Sequence, residues 1–476
     1  MVTETGLREN AVADIAPLLI IGGGVGGYVA AVKAAQLGAQ VTLVEQDRLG
    51  GTCLNRGCIP TKALLKSAEL VDSLGKAHSM GVMVDGFKID FARMMARKNQ
   101  VVTRLVKGVE YLMSSNKIRV IKGKARFLAD KKVEVTRADG LPETLFPGKV
   151  IIATGSEPAP LPVPGADGSR VVTSDEALDL KEVPPSLLII GGGAIGVEFA
   201  SIFSSLGSKV TLVEMMPRLL PVMDEEIVGV LEKALVKKGI KCITGARIIS
   251  ISDGENQDDK LVRLSKDGQE QSITSALVLI AAGRKPYTAG LGLENTNVKV
   301  ERGKILVNGK METNIPGVYA VGDVTGGILL AHVAAAQGMV AAVNALGGSQ
   351  EADLRFVPGC IYTSPEVAGV GLTEKEAKEQ GKKVKVGKFP YNANGKAIAM
   401  GEQEGMVKLV CDEEFGEILG AHLVGPRATD LIAELTLAMQ AELTAAEIAH
   451  TIHAHPTLAE AIMEAAHTVV GKAIHI

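Results

Sequence analysis

The sequence contains no tryptophan, and aromatic residues make up only 3% of its 476 positions. A chain so poor in large rings must fill its interior with aliphatic side chains, and apolar residues at 46% are enough for several cores. Net charge is nearly missing as well. The 51 Lys+Arg against 54 Asp+Glu leave −3, which argues against a nucleic-acid binder with its usual basic surplus. No apolar run reaches the roughly 18 to 20 residues that a spanning helix needs. The longest candidate, 328–348, is interrupted by His332, Gln337 and Asn344, so no membrane partner is expected. The first 17 residues carry acids and no apolar core, which gives no expectation of a secretory signal. Five cysteines are too few for a disulfide scaffold and fit a reducing cytoplasm. At about 150 residues per domain the length suggests roughly three domains. Glycine is what the chain has in excess: 54 residues, about 11% against a usual ~7%. Such an excess, without collagen periodicity, points to tight turns and close backbone approaches.

The glycines are concentrated in a repeat. Residues 18–45 read LLIIGGGVGGYVAAVKAAQLGAQVTLVE, and 187–214 read LLIIGGGAIGVEFASIFSSLGSKVTLVE. Each copy runs from an apolar strand through a glycine turn into a small-residue helix and a second strand, a βαβ unit. Gly22, Gly24 and Gly27 match G-x-G-x-x-G, and so do Gly191, Gly193 and Gly196. The first glycine makes the turn, the second admits a pyrophosphate, and the third lets helix and strand pack closely. Phosphate then meets the unpaired N–H groups of a helix N-terminus. Glu45 and Glu214 each lie 18 residues past the third glycine, where an acid takes a ribose hydroxyl. Two dinucleotide sites follow.

VIIATGSEP (150–158) and VLIAAGRKP (278–286) form a second repeated pattern, a strand, a small-residue turn and a proline that end each nucleotide unit. The polar stretch 252–271 reads as an exposed hairpin, 327–348 as a small-residue helix, and 347–353 as a linker. A last α+β segment mixes strands around 362–373, 405–412 and 417–425 with helices over 428–439 and 458–471.

Cys53 and Cys58 stand five apart in GGTCLNRGCIP, directly after the first nucleotide unit. Zinc would need two more soft ligands at short spacing, and the segment offers none. On an ideal helix the two Cα atoms would be about 8 to 9 Å apart, beyond the ~7 Å limit of a disulfide. A bridge therefore requires a distorted first turn, which Gly57 and Pro60 make easy. A helix over 61–74 would bring its N-terminal dipole near Cys58 and lower that thiol's pKa. Two plain buried thiols are the competing reading. Cys242, Cys360 and Cys411 are isolated in apolar strands and read as small buried hydrophobes.

Taken together, GGTCLNRGCIPTKALL, both fingerprints, ATG, YAVGD and HAHPTLAE resemble the flavin-dependent pyridine nucleotide–disulfide oxidoreductases over residues 17–471. The resemblance implies an α/β fold with two Rossmann-like domains and a C-terminal α+β dimerisation domain. It places the FAD domain at 1–156, the NAD domain inserted at 157–283, a central domain completing the FAD site at 284–352, and the interface domain of a homodimer at 353–476. It implies that Cys53 is the interchange thiol and Cys58 the thiol facing the flavin. Lys62 is implied at the flavin, paired with Glu198. Asp323 is implied to bind the ribityl chain, with Thr154, Gly155 and Gly322 also on the FAD side and Gly283 on the NAD side. His455 is implied as the acid–base residue, oriented by Glu460 and contributed by the partner subunit. From the residues alone Glu460 divides between that role and a helix cap, since Thr457-x-x-Glu460 is also a capping box. Pro456 biases His455 towards a loop. His450 and His453 complete no metal set by motif.

The activity so implied is oxidation of a dihydrolipoyl group with NAD⁺, with lipoyl domains of 2-oxo acid dehydrogenase or glycine cleavage complexes as partners. Glu214 disfavours an NADPH-dependent, glutathione-reductase-like alternative, with Arg218 as the one feature against this. VVGKAIHI lacks the extra cysteines of a mercuric-reductase-like one. Retention of both thiols and His455 disfavours a non-catalytic flavoprotein subunit. Residues 1–16 are too short for a lipoyl domain and are expected to form a mobile arm.

Overall fold

A computed structural model describes residues 17–256 and 258–476, so the expected arm lies outside the described residues. The described chain divides into two compact units, the first drawn from residues 17–59, Gln100–Glu157 and Arg284–Ala352. The second contains Pro60–Asn99, Pro158–Gly283 and Asp353–Ile476.

The first unit is built on a seven-stranded sheet in the order Val318–Ala320, Lys149–Ile152, Leu18–Ile21, Val41–Glu45, Arg119–Phe127, Val133–Arg137, Pro142–Leu145. The first five strands are parallel, and the last two turn back antiparallel. Sequence explains the division. The strand LLII is buried at every position, as a parallel strand covered on both faces must be. Arg119–Phe127 alternates exposed and buried over most of its length, as a strand wetted on one face does. The small-residue helix expected near 327–348 runs over Ala331–Ala345 and packs on the helix Val25–Gln36. Alanine and glycine on both surfaces, among them Gly26, Ala30, Ala334 and Ala341, let the two backbones approach closely.

The second unit holds a five-stranded parallel sheet in the order Lys241–Ile243, Lys209–Val213, Ser186–Ile190, Leu277–Ile280, Val171–Thr173. The polar 252–271 stretch falls in an antiparallel three-stranded sheet, Ala246–Asp253, Lys260–Lys266 and Gln269–Ser275. The C-terminal part is a five-stranded antiparallel sheet, Gly359–Ile361, Glu366–Gly371, Ile418–Gly425, Met406–Asp412 and Val384–Pro390. The helices Ala428–Gln440 and Glu460–Val470 pack on it. The two VIIATGSEP-type patterns come together, since Ser156–Pro158 pairs with Arg284–Pro286. Among the described residues no helix is long and apolar enough to cross a membrane.

Candidate active site

The two glycine turns are superimposable in their constraints. Gly22 has φ +104 and a Cβ there would stand 2.3 Å from the Ala153 carbonyl oxygen; Gly191 has φ +113 and a Cβ 2.4 Å from that of Ala281. A Cβ at Gly27 would lie 1.8 Å from Gly22 O, and one at Gly196 1.8 Å from Gly191 O. The middle glycines behave differently: a Cβ at Gly193 meets nothing within 4 Å and one at Gly24 meets only Gly51 Cα at 3.8 Å. The turns are thus closed where helix meets strand and open where a pyrophosphate would lie.

The strand-end acids repeat the symmetry. Gly23 N–H donates to Glu45 Oε2 at 2.6 Å and Asp47 N–H to Oε1 at 2.8 Å. Gly192 N–H donates to Glu214 Oε2 at 2.6 Å and Met216 N–H to Oε1 at 2.7 Å. Each carboxylate oxygen keeps a second lone pair for a ribose hydroxyl. Burial raises the Glu45 pKa, opposed by its amide bonds and by Arg56. Arg218 donates instead to the carbonyls of Met223 and Pro221, each at 2.7 Å, so its guanidinium is engaged by its own loop.

The cysteine segment departs from the sequence expectation. The long helix begins at Cys58, not Thr61, and ends at Lys76, not Leu74. Pro60 is tolerated inside the first turn because N–H groups there have no intrahelical acceptor. Cys53 lies on a separate short helix, Gly51–Arg56, and Gly57 at φ −147, ψ −113 breaks the path between them. A Cβ at Gly57 would stand 3.0 Å from the Thr52 carbonyl oxygen. The ideal-helix separation therefore does not apply to this pair. Both thiols are half-buried, and Cys58 opens a 19-residue helix whose N-terminus favours a thiolate. Tyr28 lies near Cys53. Its hydroxyl is pushed up first by burial and then by the charge of that cysteine.

Asp323 Oδ2 accepts from Ser156 Oγ at 2.5 Å, and Arg284 Nε donates to the same Ser156 Oγ at 2.8 Å. Arg284 also reaches the Ser156 carbonyl at 2.8 Å and Thr52 Oγ1 at 3.5 Å. Sequence reading missed Ser156 and Arg284, although both sit in the repeated strand–turn–proline pattern that could have pointed to them. Thr154 Oγ1 donates to Tyr287 O at 2.6 Å, and Gly155, Gly283 and Gly322 all have positive φ.

In the second unit Lys62 Nζ donates to both oxygens of Glu198 at 2.8 Å. Glu198 follows Gly196 by two residues on the helix Ala194–Ser205 and is buried. His455 Nδ1 lies 2.9 Å from Glu460 Oε1, and Thr457 N–H donates to Glu460 Oε2 at 2.8 Å. Glu460 contacts the imidazole and the Thr457 amide, but the expected capping box does not form: the helix begins at Glu460 with Ala459 as its N-cap, and Thr457 Oγ1 donates to Ala454 O. His453, by contrast, pairs with Glu434 through Nε2 at 2.8 Å, an acid that no motif disclosed. Among the described residues no group of three or more metal-ligating side chains occurs. Burial pushes the Cys242 and Cys360 thiols up to about 11 and the Cys411 thiol to about 12; Cys411 is buried as expected, whereas Cys242 and Cys360 are only half-buried.

Two phosphate turns in one chain fit two dinucleotides, and a thiol pair placed directly after the first βαβ unit adds sulfur as a further redox centre. The class so defined is a dinucleotide-dependent thiol–disulfide oxidoreductase. The chain belongs to the pyridine nucleotide-disulphide oxidoreductase family, whose model matches residues 16–338, while its dimerisation domain matches 357–466. The family uses FAD and NAD, which the two turns fit, and the dimerisation match supports a homodimer. The chain is 46% identical over 467 residues to a dihydrolipoyl dehydrogenase of Bacillus subtilis, covering 96% of this chain and 98% of the relative. It is 46% identical over 464 residues to that of Thermus scotoductus, with the same coverage. Among solved structures, LpdA from Mycobacterium tuberculosis superimposes with a TM-score of 0.88 at 30% identity, over 94% of this chain and 98% of that one.

Proposed function

We propose that the protein oxidises dihydrolipoyl groups to lipoyl groups with NAD⁺ as acceptor, the activity for which its curated relatives are named. The observation that carries the chemistry is the His455–Glu460 contact. An ionised carboxylate only accepts, so Glu460 fixes the proton on Nδ1 and leaves Nε2 as the base. The His455 side chain is 80% exposed in the single chain, and it lies within the segment that matches the dimerisation domain. Both facts support its serving the thiol pair of the partner subunit.

In this reading the resting protein carries a Cys53–Cys58 disulfide. His455 takes a proton from one substrate thiol, and the thiolate attacks Cys53 Sγ. The Cys53–Cys58 bond breaks, and Cys58 leaves as a thiolate favoured by the helix N-terminus. The second substrate thiol passes its proton to the departing Cys53 sulfur as it attacks the substrate sulfur bonded to Cys53; the substrate–Cys53 bond breaks and the lipoyl disulfide closes. The enzyme dithiol now holds two electrons. A bound FAD would supply the electron relay: the Cys53–Cys58 disulfide would re-form, the pair would leave to NAD⁺ as hydride, and the Cys53 proton would go to solvent.

We assign FAD binding to Gly22, Gly24, Gly27, Glu45, Lys62, Thr154, Gly155, Gly322 and Asp323. NAD⁺ is assigned to Gly191, Gly193, Gly196, Glu198, Glu214 and Gly283. The corresponding domains are 1–156, 157–283, 284–352 and 353–476. Lipoyl domains of a 2-oxo acid dehydrogenase or glycine cleavage complex are the proposed macromolecular substrates, in the cytoplasm. NADH formation from dihydrolipoamide by the purified protein, lost in Cys53→Ser, tests the assignment.

A further inference from the structure

The Lys62–Glu198 pair has a third member that no motif disclosed. Lys62 Nζ stands 4.4 Å from the centroid of the Tyr362 ring, within range of a cation–π contact. The main-chain N–H of the same tyrosine donates to Glu198 Oε1 at 3.1 Å. Tyr362 therefore holds both ends of the pair, the cation by its ring and the anion by its amide. Its backbone is itself anchored. The strand Gly359–Ile361 ends immediately before it, with Ile361 opposite Val367, and the flanking Ile361 and Thr363 are both buried. Glu198 is nearly inaccessible, whereas the Lys62 side chain remains 31% exposed. The ring thus covers one side of an ammonium that Glu198 already holds through both carboxylate oxygens.

We propose that Tyr362 is a positioning residue that fixes the Lys62 ammonium for the electron-transfer step; this rests on the reading above, in which Lys62 faces FAD. The ring acts as a neutral π face throughout the working range, because burial, followed by Cys360 and the acids Glu366, Glu198 and Asp430, pushes the hydroxyl up to about 12. A cation–π contact of this exposure corresponds to about a 2- to 30-fold effect on any equilibrium or rate that depends on it.

The test is a set of FAD-loaded variants, Tyr362→Leu, Tyr362→Phe, Lys62→Met and the Lys62→Met/Tyr362→Leu double variant. Each is measured for flavin content, for the midpoint potential of the bound flavin by spectroscopic titration, and for the rate of flavin reduction by NADH. Lys62→Met lowers the potential, since a cation that stabilises reduced flavin is gone. Tyr362→Leu moves potential and rate in the same direction by a smaller factor, Tyr362→Phe restores both, and adding Tyr362→Leu to Lys62→Met changes nothing further. If Lys62→Met leaves the potential unmoved, the underlying reading of Lys62 is wrong. If Lys62→Met moves it and Tyr362→Leu does not, or if the two changes are additive, the role of Tyr362 is overturned. Equal impairment by Leu and Phe with normal flavin content also overturns it, because the ring would then not be the active element.

Discussion

Glu460 divides its carboxylate between two partners, with His455 Nδ1 2.9 Å from Oε1 and the Thr457 amide 2.8 Å from Oε2. The carboxylate is held below its ordinary pKa; burial raises it, but the Thr457 amide and the His455 contact outweigh that. A depressed acid stabilises the fold above its unfolded pKa and loses that contribution as pH falls through the folded one. The imidazole therefore keeps its ionised partner throughout the neutral range.

His455→Gln lowers dihydrolipoamide turnover by about 10²- to 10⁴-fold, the usual contribution of a positioned base. Flavin reduction by NADH, which needs no substrate thiol deprotonated, survives. Glu460→Ala costs less, because the imidazole remains but loses its orientation. Steady-state and stopped-flow rates on the same preparations separate the steps. A Glu460→Ala variant with unchanged kcat and only about 1 kcal/mol less stability would reduce Glu460 to a structural acceptor for the Thr457 amide.

Site sharing has its own readout. Inactive His455→Gln chains and inactive Cys53→Ser chains, mixed and allowed to re-associate, give heterodimers with one site carrying both lesions and one carrying neither. About half of the wild-type activity per heterodimer is expected. Verified heterodimers without activity would mean that each chain completes its own site.

Glu214→Ala weakens NAD⁺ and narrows the preference over NADP⁺. Losing two ribose hydrogen bonds at about 0.5–1.5 kcal/mol each raises KM for NAD⁺ at least about fivefold. The Arg218 guanidinium is held by the carbonyls of Met223 and Pro221, so the loop must rearrange before it reaches a 2′-phosphate. Equal wild-type kcat/KM for the two nucleotides would contradict this.

What was legible in the sequence was local. The βαβ turns, their acids and the strand–turn–proline patterns each lie within about 30 residues, so spacing alone exposed them. The Lys62–Glu198 contact spans 136 residues and was available only through family resemblance. Ser156 and Arg284 meet through the pairing of their strands, and Tyr362 meets Lys62 and Glu198 through contacts between a strand end and two helices far away in the chain, which spacing does not disclose. The start of the long helix was misplaced because Pro60 reads as a stop from outside and as a first-turn residue from within.

Lys408 is buried at the centre of an acid cluster, 3.0 Å from Asp224, 3.1 Å from Glu226 and 2.9 Å from Glu374. Lys408→Met leaves three carboxylates without their common cation and destabilises the fold by about 3–5 kcal/mol, read as a lower thermal midpoint at pH 7. Hydrogen bonds from Lys378 and Lys408 hold Glu374 at about 2, against burial. That contribution is complete above the ordinary value of 4.5 and is lost as pH falls towards about 2. The gap between variant and wild type accordingly narrows on acidification; a gap independent of pH would show that the cluster is not electrostatic.

Dihydrolipoyl oxidation is tested most directly by kcat/KM of the purified, FAD-loaded protein for dihydrolipoamide with NAD⁺. The same preparation is assayed for lipoamide and glutathione disulfide reduction with NADH and with NADPH. Rapid NADH formation from dihydrolipoamide, lipoamide reduction favouring NADH, and loss of both in Cys53→Ser and in Cys58→Ser are expected. Turnover of glutathione disulfide with NADPH in preference to lipoamide with NADH would contradict this expectation, as would full lipoamide activity in either cysteine variant.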